Sequence, residues 1–183
     1  MDSGSKNYER YLSGDDHGME QIIAEYAQGL IFYLSKILGS LEQAEEAAED
    51  AFVLLCTKRP KNQQKSSFKT WLYTIGRNLA IDRLRRMARS KTLPLEECPE
   101  AAADDPEAAY LRDETKKTLN RAMKQLKPEY RQLLHLQYFE GLSHQEIARI
   151  MGKTVRATQM LATRARQALK EKLIQEGIDH ENI

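Results

Sequence analysis

Four histidines, His17, His135, His144 and His180, are scattered along the chain, and no pair has the spacing of a metal site. No HExxH, no phosphate-cradling glycine loop, no dinucleotide glycine fingerprint and no GxSxG elbow occurs. The two cysteines, Cys56 and Cys98, form no CxxC and cannot build a disulfide framework. Cys56 falls on the apolar flank of a helical pattern and reads as a small buried hydrophobe. The expectation is a chain that is not an enzyme and needs no metal or cofactor.

The residues that do cluster are cations and hydrogen-bond donors. The segment from Ser143 reads SHQEIARIMGKTVRATQMLATRARQALKEKL. Ser143 and Glu146 fit S-x-x-E, the capping box that starts a helix. Ala148 is small enough for a second helix to cross closely, and Gly152 tolerates the positive φ of a tight turn. A new helix starts near Thr154. This is the helix-turn-helix arrangement. On the second helix Arg156, Gln159, Thr163, Arg166 and Lys170 lie within about 80° of one another on the wheel. All can donate hydrogen bonds and none is acidic. Such a face suits the major groove, with Arg156 and Gln159 at base edges and Thr163, Arg166 and Lys170 at phosphates. Val155, Leu161, Ala165 and Leu169 are expected to pack back on the domain.

The elements that position these residues follow from periodicity. The first 18 residues are polar and are expected to form a flexible tail. From Met19 to about Leu38, Ile22, Ile23, Tyr26, Leu30, Tyr33, Leu34 and Ile37 recur at a helical period. Gly39 and Ser40 end that helix, and another runs from about Leu41 to Thr57. One of its faces holds Ala44, Ala47, Ala48, Ala51, Phe52 and Leu55. The opposite face holds Glu42, Glu45, Glu46, Glu49 and Asp50. The loop KRPKNQQKSS precedes a third helix, about Phe68 to Arg89, whose expected core stripe is Phe68, Leu72, Ile75 and Leu79. Trp71, Thr74, Asn78 and Arg85 form a neighbouring mixed stripe. Residues 92–112 hold three of the five prolines and many acids, the composition of a linker. Beyond it Leu119, Met123 and Leu126 mark one helix. Pro128 opens the next, which continues through Leu133, Leu134, Leu136 and Tyr138 to a stop at Gly141. The expected organisation is all-α: a tail (1–18), a first helical domain (19–91), the linker (92–112), a second helical domain (113–175) and a frayed tail (176–183).

The net charge of +1 over 183 residues conceals a block pattern. Residues 20–57 carry seven acids and one base, and residues 58–91 carry eleven bases and one acid. Residues 95–114 carry eight acids and one base, and residues 115–183 carry thirteen bases and seven acids. Segregation on this scale points to two polyanion contacts and at least one basic partner surface. No apolar run approaches the ~20 residues of a membrane span. The start MDSGSKNYERYLSGDDHG lacks the apolar core of a signal peptide, so a cytoplasmic location is expected.

The stretches AEEAAEDAF (44–52) and FKTWLYTIGRNLAIDRLRR (68–86) carry a family resemblance. The second is similar, at Phe68, Trp71, Leu72, Tyr73, Ile75, Arg77, Asn78, Asp82 and Arg86, to the small extracytoplasmic-function (ECF, group 4) members of the sigma-70 superfamily. The resemblance spans about Met19 to Leu173. It implies two helical domains, region 2 and region 4, that lend promoter specificity to RNA polymerase. It further implies contact of Glu45, Glu46, Glu49 and Asp50 with the β′ clamp helices of core polymerase, and of region 4 with the β flap. For the −10 promoter element it implies Lys58, Arg59, Lys61 and Lys65 in the loop, with Trp71, Asn78, Arg83, Arg85 and Arg86 on the helix. Trp71 can equally be a core residue, Asn78 a structural hydrogen-bonder, and Arg77 either a DNA contact or an internal partner. The −35 element falls to Arg156, Gln159, Thr163, Arg166 and Lys170. The acidic linker, with Glu96, Glu97, Asp104, Asp105 and Glu107, is placed by resemblance along a nucleic-acid channel of the polymerase, and an anti-sigma factor is an implied partner. The alternative is a helix-turn-helix regulator that does not act as a sigma factor.

The chain departs from the family pattern in places. Gly76 stands where Ala is usual, at a helix-interior cost of roughly 0.5–1 kcal/mol. Lys153 and Thr158 replace aliphatics, and Gln159 and Leu161 replace a common Lys and Arg. A different −35 sequence and a weaker phosphate grip are expected.

Overall fold

The computed structural model describes residues 2–62, 66–90 and 114–177. Every regular element among them is helical, in two compact units. The linker, Lys65 and Cys98 lie outside the described residues.

The first unit holds α1 (Ser3–Leu12), α2 (His17–Leu38), α3 (Leu41–Lys58) and α4 (Phe68–Ser90). Helix α2 is central, and α1, α3 and α4 all pack on it. Its buried face is Met19, Ile22, Tyr26, Leu30, Tyr33 and Leu34, so Ile23 is displaced to the exposed side. Gly39 closes α2 in the left-handed conformation (φ 72°), and Ser40 caps α3 by accepting from the Gln43 amide. On α3 the six expected apolar residues are all buried. Their short side chains let α3 lie close to its neighbours.

The expected N-terminal tail is instead a packed helix. Asp2 caps α1, and Tyr8 and Tyr11 are buried. The segment has no aliphatic repeat to announce it; its anchors are aromatic. Two glycines permit the close approach. A Cβ on Gly4 would lie 2.5 Å from the Phe68 ring, and one on Gly18 would lie 2.3 Å from the Asn7 carbonyl oxygen.

Helix α4 is also rotated from expectation. Phe68, Leu72, Tyr73 and Ala80 are buried, while Ile75 and Leu79 are only half-buried. The rotation turns Gly76 inward, where a Cβ would meet Leu30 Cδ1 at 2.9 Å. The glycine that looks costly in an isolated helix is thus the contact point between α4 and α2.

The second unit holds α5 (Glu114–Lys124), α6 (Pro128–Leu134), a π-helical turn (His135–Phe139), α7 (His144–Met151) and α8 (Val155–Gln175). Helices α5 and α6 both pack on α8. Pro128 occupies the first turn of α6, where its missing N–H is harmless. The π-turn was not legible in the sequence. Its wider winding, marked by the Glu140 amide reaching back to the His135 carbonyl at 3.2 Å, shifts the phase of the apolar stripe. Tyr138, expected in the core, is therefore 59% exposed.

Helix α8 is likewise out of phase with expectation. Its buried residues are Thr158, Ala162, Ala165 and Leu173, whereas Val155 is exposed and Leu161 and Leu169 are half-buried. Small side chains on the inner face allow close packing. Thr158 is fully buried, and its hydroxyl donates to the Thr154 carbonyl at 3.0 Å, which satisfies the polar group. The helix runs to Gln175, and Glu176 accepts from Gln125 (2.8 Å) and pairs with Arg121 (3.2 Å). The start of the expected C-terminal tail is therefore tied to α5.

Candidate polymerase and nucleic-acid interfaces

The acidic ridge of α3 is a direct consequence of its binary pattern. Glu42, Glu45, Glu46, Glu49 and Asp50 are all exposed, opposite the buried alanines. Arg83 of α4 reaches two of them. Its guanidinium donates to the Glu46 carboxylate through Nη1 and lies 3.3 Å from Asp50 Oδ2 through Nη2. Nη1 also lies 3.5 Å from the Gln43 carbonyl. The expected DNA contact Arg83 is thus engaged with the face expected to meet polymerase. Glu45 and Glu49 stand outside this bridge.

The cationic loop begins where α3 ends. Lys58, Arg59 and Lys61 are exposed. Arg59 holds the left-handed conformation (φ 44°), alone among the described non-glycine residues. Its guanidinium carbon lies 5.3 Å from the Tyr11 ring centroid, a cation–π distance. Asn62 donates to the Ser66 carbonyl at 2.8 Å. A groove of about 760 Å³ opens beside the loop, lined by Asp2, Tyr8, Glu9, Lys61, Asn62 and Trp71 among others.

The side chains of α4 differ in exposure and in neighbours. Trp71 is half-buried, with its ring 5.4 Å from Tyr8 and 5.7 Å from Phe68 in edge-on contacts. It is anchored in the core and also borders the groove. Asn78, Arg85 and Arg86 are exposed, and Arg85 makes a surface ion pair with Asp82 at 3.3 Å. Arg77 is half-buried with Nε shut from solvent, beside Tyr33. Burial pushes the Tyr33 phenol well above its ordinary pKa, and the Arg77 charge works against that rise. Arg77 thus has an internal neighbour in Tyr33.

In the second unit the capping box forms as expected. Glu146 accepts from the Ser143 amide (2.9 Å) and hydroxyl (2.7 Å), and its own amide lies 3.3 Å from Ser143 Oγ. Gly152 turns the chain at φ 64°. The Lys153 amide donates to the Ala148 carbonyl at 2.9 Å, and Lys153 Nζ pairs with Glu129 at 3.1 Å. This fixes the turn before Thr154, whose hydroxyl accepts from the Ala157 amide and caps α8. Arg156, Gln159, Thr163 and Arg166 are exposed along α8, and Lys170 is half-buried. The Thr163 hydroxyl donates to the Gln159 carbonyl at 3.2 Å, so it is partly occupied by its own helix. Met160 and Gln167, also exposed, flank these residues on the Arg156 side of the wheel and widen the face. Neither carries a charge to mark it in the sequence, and an exposed methionine suits apolar contact with a base methyl group.

Among the described residues, no cluster of His, Cys, Asp and Glu is arranged to hold a metal ion, and no helix is long and apolar enough to cross a membrane.

Comparison with known proteins bears on these surfaces. Residues 22–90 match the family model for sigma-70 region 2, and residues 116–169 match that for sigma-70 region 4. The chain is 30% identical over 158 residues to the RNA polymerase sigma factor YlaC of Bacillus subtilis, covering 85% of this chain and 91% of that one. It is 28% identical over 178 residues to the ECF RNA polymerase sigma factor SigW of Bacillus subtilis, covering 92% and 95%. It is 28% identical over 177 residues to the RNA polymerase sigma-H factor of Pseudomonas aeruginosa, covering 90% and 91%. The fold is also similar to that of CnrH, solved in complex with the cytosolic domain of CnrY (TM-score 0.66, 22% identity, 97% of this chain and 100% of that one). A second similar fold is the sigma factor RpoE of Bartonella quintana, solved with the anti-sigma factor NepR (TM-score 0.64, 20% identity, 84% and 95%). These likenesses favour a sigma factor over a helix-turn-helix regulator of another kind. With a region 2 unit, a region 4 unit and relatives matched over nearly their whole length, the chain belongs to the sigma-70 family and is an alternative sigma factor of the ECF type.

Proposed function

We propose that the chain acts in the cytoplasm, binds core RNA polymerase and directs it to promoters that carry matching −10 and −35 elements. The chemistry of RNA synthesis belongs to the polymerase, and this chain supplies recognition without catalysis. The observation that carries the proposal is the opposition of charge within one small unit. An acidic ridge on α3 offers itself to a basic protein surface, while Lys58, Arg59, Lys61, Arg85 and Arg86 offer cations to a phosphate backbone.

In this reading Glu45, Glu46, Glu49 and Asp50 meet the β′ clamp helices, and region 4 meets the β flap. The loop cations, Lys65 included, grip the −10 DNA backbone, and Trp71 borders the groove that an unstacked base would enter. Asn78, Arg85 and Arg86 extend that contact along α4. Arg83 serves as the link between the acidic ridge and the DNA face. Helix α8 lies in the major groove of the −35 element. Arg156 and Gln159 read bases, and Thr163, Arg166 and Lys170 hold phosphates. An anti-sigma factor is a further partner, as in the RpoE complex.

Co-purification with core polymerase tests the first step. The wild-type chain is expected to retain core polymerase. The double variant Glu45→Lys, Glu49→Lys, which spares the Arg83 bridge, is expected to lose it. Retention by the reversed-charge variant would remove the acidic ridge from the interface.

A further inference from the structure

The loop that follows α3 is held at its start and at its end by a helix outside the matched family region. At the start, α3 leaves its last carbonyls without intrahelical donors, and no glycine terminates it. Two tyrosines of α1 supply the missing donors. The Tyr8 hydroxyl donates to the Pro60 carbonyl at 3.0 Å and lies 3.5 Å from that of Leu55. The Tyr11 hydroxyl donates to the Cys56 carbonyl at 3.3 Å, and the Tyr11 ring lies under the Arg59 guanidinium. Arg59 itself is in the left-handed conformation, which L side chains rarely adopt and which needs surrounding structure to maintain it. At the end of the loop, one oxygen of Asp2 accepts from the Ser5 amide at 2.8 Å and caps α1. The other accepts from the Phe68 amide at 3.0 Å, at the first residue of α4. Gly4 and Gly18 bring α1 close enough for all of these contacts.

We propose that α1 is a built-in positioning element for the cationic loop, with Tyr8 and Tyr11 as positioning residues that fix where Lys58, Arg59 and Lys61 present their charges. The role in promoter recognition rests on the function proposed above; the mechanical role does not. Both tyrosine side chains act through backbone carbonyls, and neither needs to touch DNA. Burial pushes the Tyr8 pKa up to about 12, so its hydroxyl remains a donor across the physiological range.

The test uses the full chain with Tyr8→Phe and Tyr11→Phe combined, which keeps both rings and removes both hydroxyls. The first readout is amide hydrogen exchange. The amides of Arg59, Lys61 and Asn62 (Pro60 carries none) are expected to exchange roughly thirtyfold faster, the effect of losing two hydrogen bonds of about 1 kcal/mol each. The amides at the centre of α2 are expected to keep wild-type protection. Unchanged exchange at 59–62 would overturn the positioning role, and uniform acceleration across the first unit would show that the hydroxyls serve general stability instead. The second readout is transcription with core polymerase from a promoter that the wild-type chain uses, compared with single-base variants of its −10 element. The double variant is expected to lose most of the wild-type discrimination while still retaining core polymerase. Loosened loop amides with wild-type discrimination would overturn the link to recognition. A wild-type chain that supports no transcription would defeat the proposed function and this link with it, and hydrogen exchange would still decide the mechanical role.

Discussion

Arg83 shows how much a single side chain can hold together. From spacing alone it belongs with the cations of α4, yet it crosses to α3 and pairs with Glu46 and Asp50. All three are at least partly exposed, so the network contributes at most about 1 kcal/mol to stability. Arg83→Gln is expected to destabilise the first unit by about that amount in low salt and by less in 0.5 M salt. Arg85→Gln, on the open face, is expected to stay within about 0.5 kcal/mol of wild type. Chemical denaturation at the two salt concentrations checks both, and equal effects of the two substitutions would contradict the bridge. Asp2 is the second residue whose role the sequence concealed. Burial raises its pKa, but the Phe68 and Ser5 amides outweigh that and hold it below the ordinary carboxylate value. A lowered pKa in the folded state stabilises fully above the unfolded value of about 3.9, and the gain vanishes as pH falls through the folded value. Asp2→Asn is therefore expected to cost about 1 kcal/mol at pH 7, the usual size of a lost cap, and progressively less as pH falls below the ordinary carboxylate range and through the lowered folded value. Thermal unfolding across that range measures it, and a pH-independent difference would contradict the assignment.

At the scale of elements, α1 is the part of the fold that sequence reading missed, and the reason is physical. Amphipathic helices are recognised by repeating aliphatics, and α1 is anchored instead by Tyr8, Tyr11, a capping acid and the contacts of Gly4 and Gly18. None of these produces a periodic signal in a polar segment. Gly18→Ala is expected to destabilise the first unit by about 2 kcal/mol or more, because the new methyl meets the Asn7 carbonyl and the Tyr11 amide, both backbone atoms that cannot swing aside. Denaturant unfolding gives the figure; a neutral substitution would mean that α1 is not packed as described. Helix α3, by contrast, was fully legible, because a row of alanines against a row of acids admits one orientation. Helix α8 was placed correctly and rotated wrongly. Its buried face is made of small residues, Thr158, Ala162 and Ala165, which hydrophobicity alone ranks below the exposed Val155. The π-turn at His135–Phe139 escaped notice because a widened hydrogen-bond register has no residue signature. The cap of α7 and the turn at Gly152 were legible because each depends on a side chain with few substitutes.

Across the whole molecule, a net charge of +1 is the sum of blocks that act separately. Most of the proposed contact residues were legible for the same reason. A helix face that meets DNA must exclude acids, and one that meets a basic protein must gather them. Arg77 and Arg83 are cations whose neighbours lie on another helix and depend on packing, so their spacing alone did not reveal those contacts. The central claim is that these separate faces together give RNA polymerase its promoter choice. The most direct test is run-off transcription with purified core polymerase on a library of promoter fragments, including the DNA upstream of the chain's own gene. The account predicts discrete transcripts that depend on this chain, whose start sites share two upstream elements, one at −10 and one at −35. Core polymerase that binds the chain but initiates nowhere with it would contradict the account.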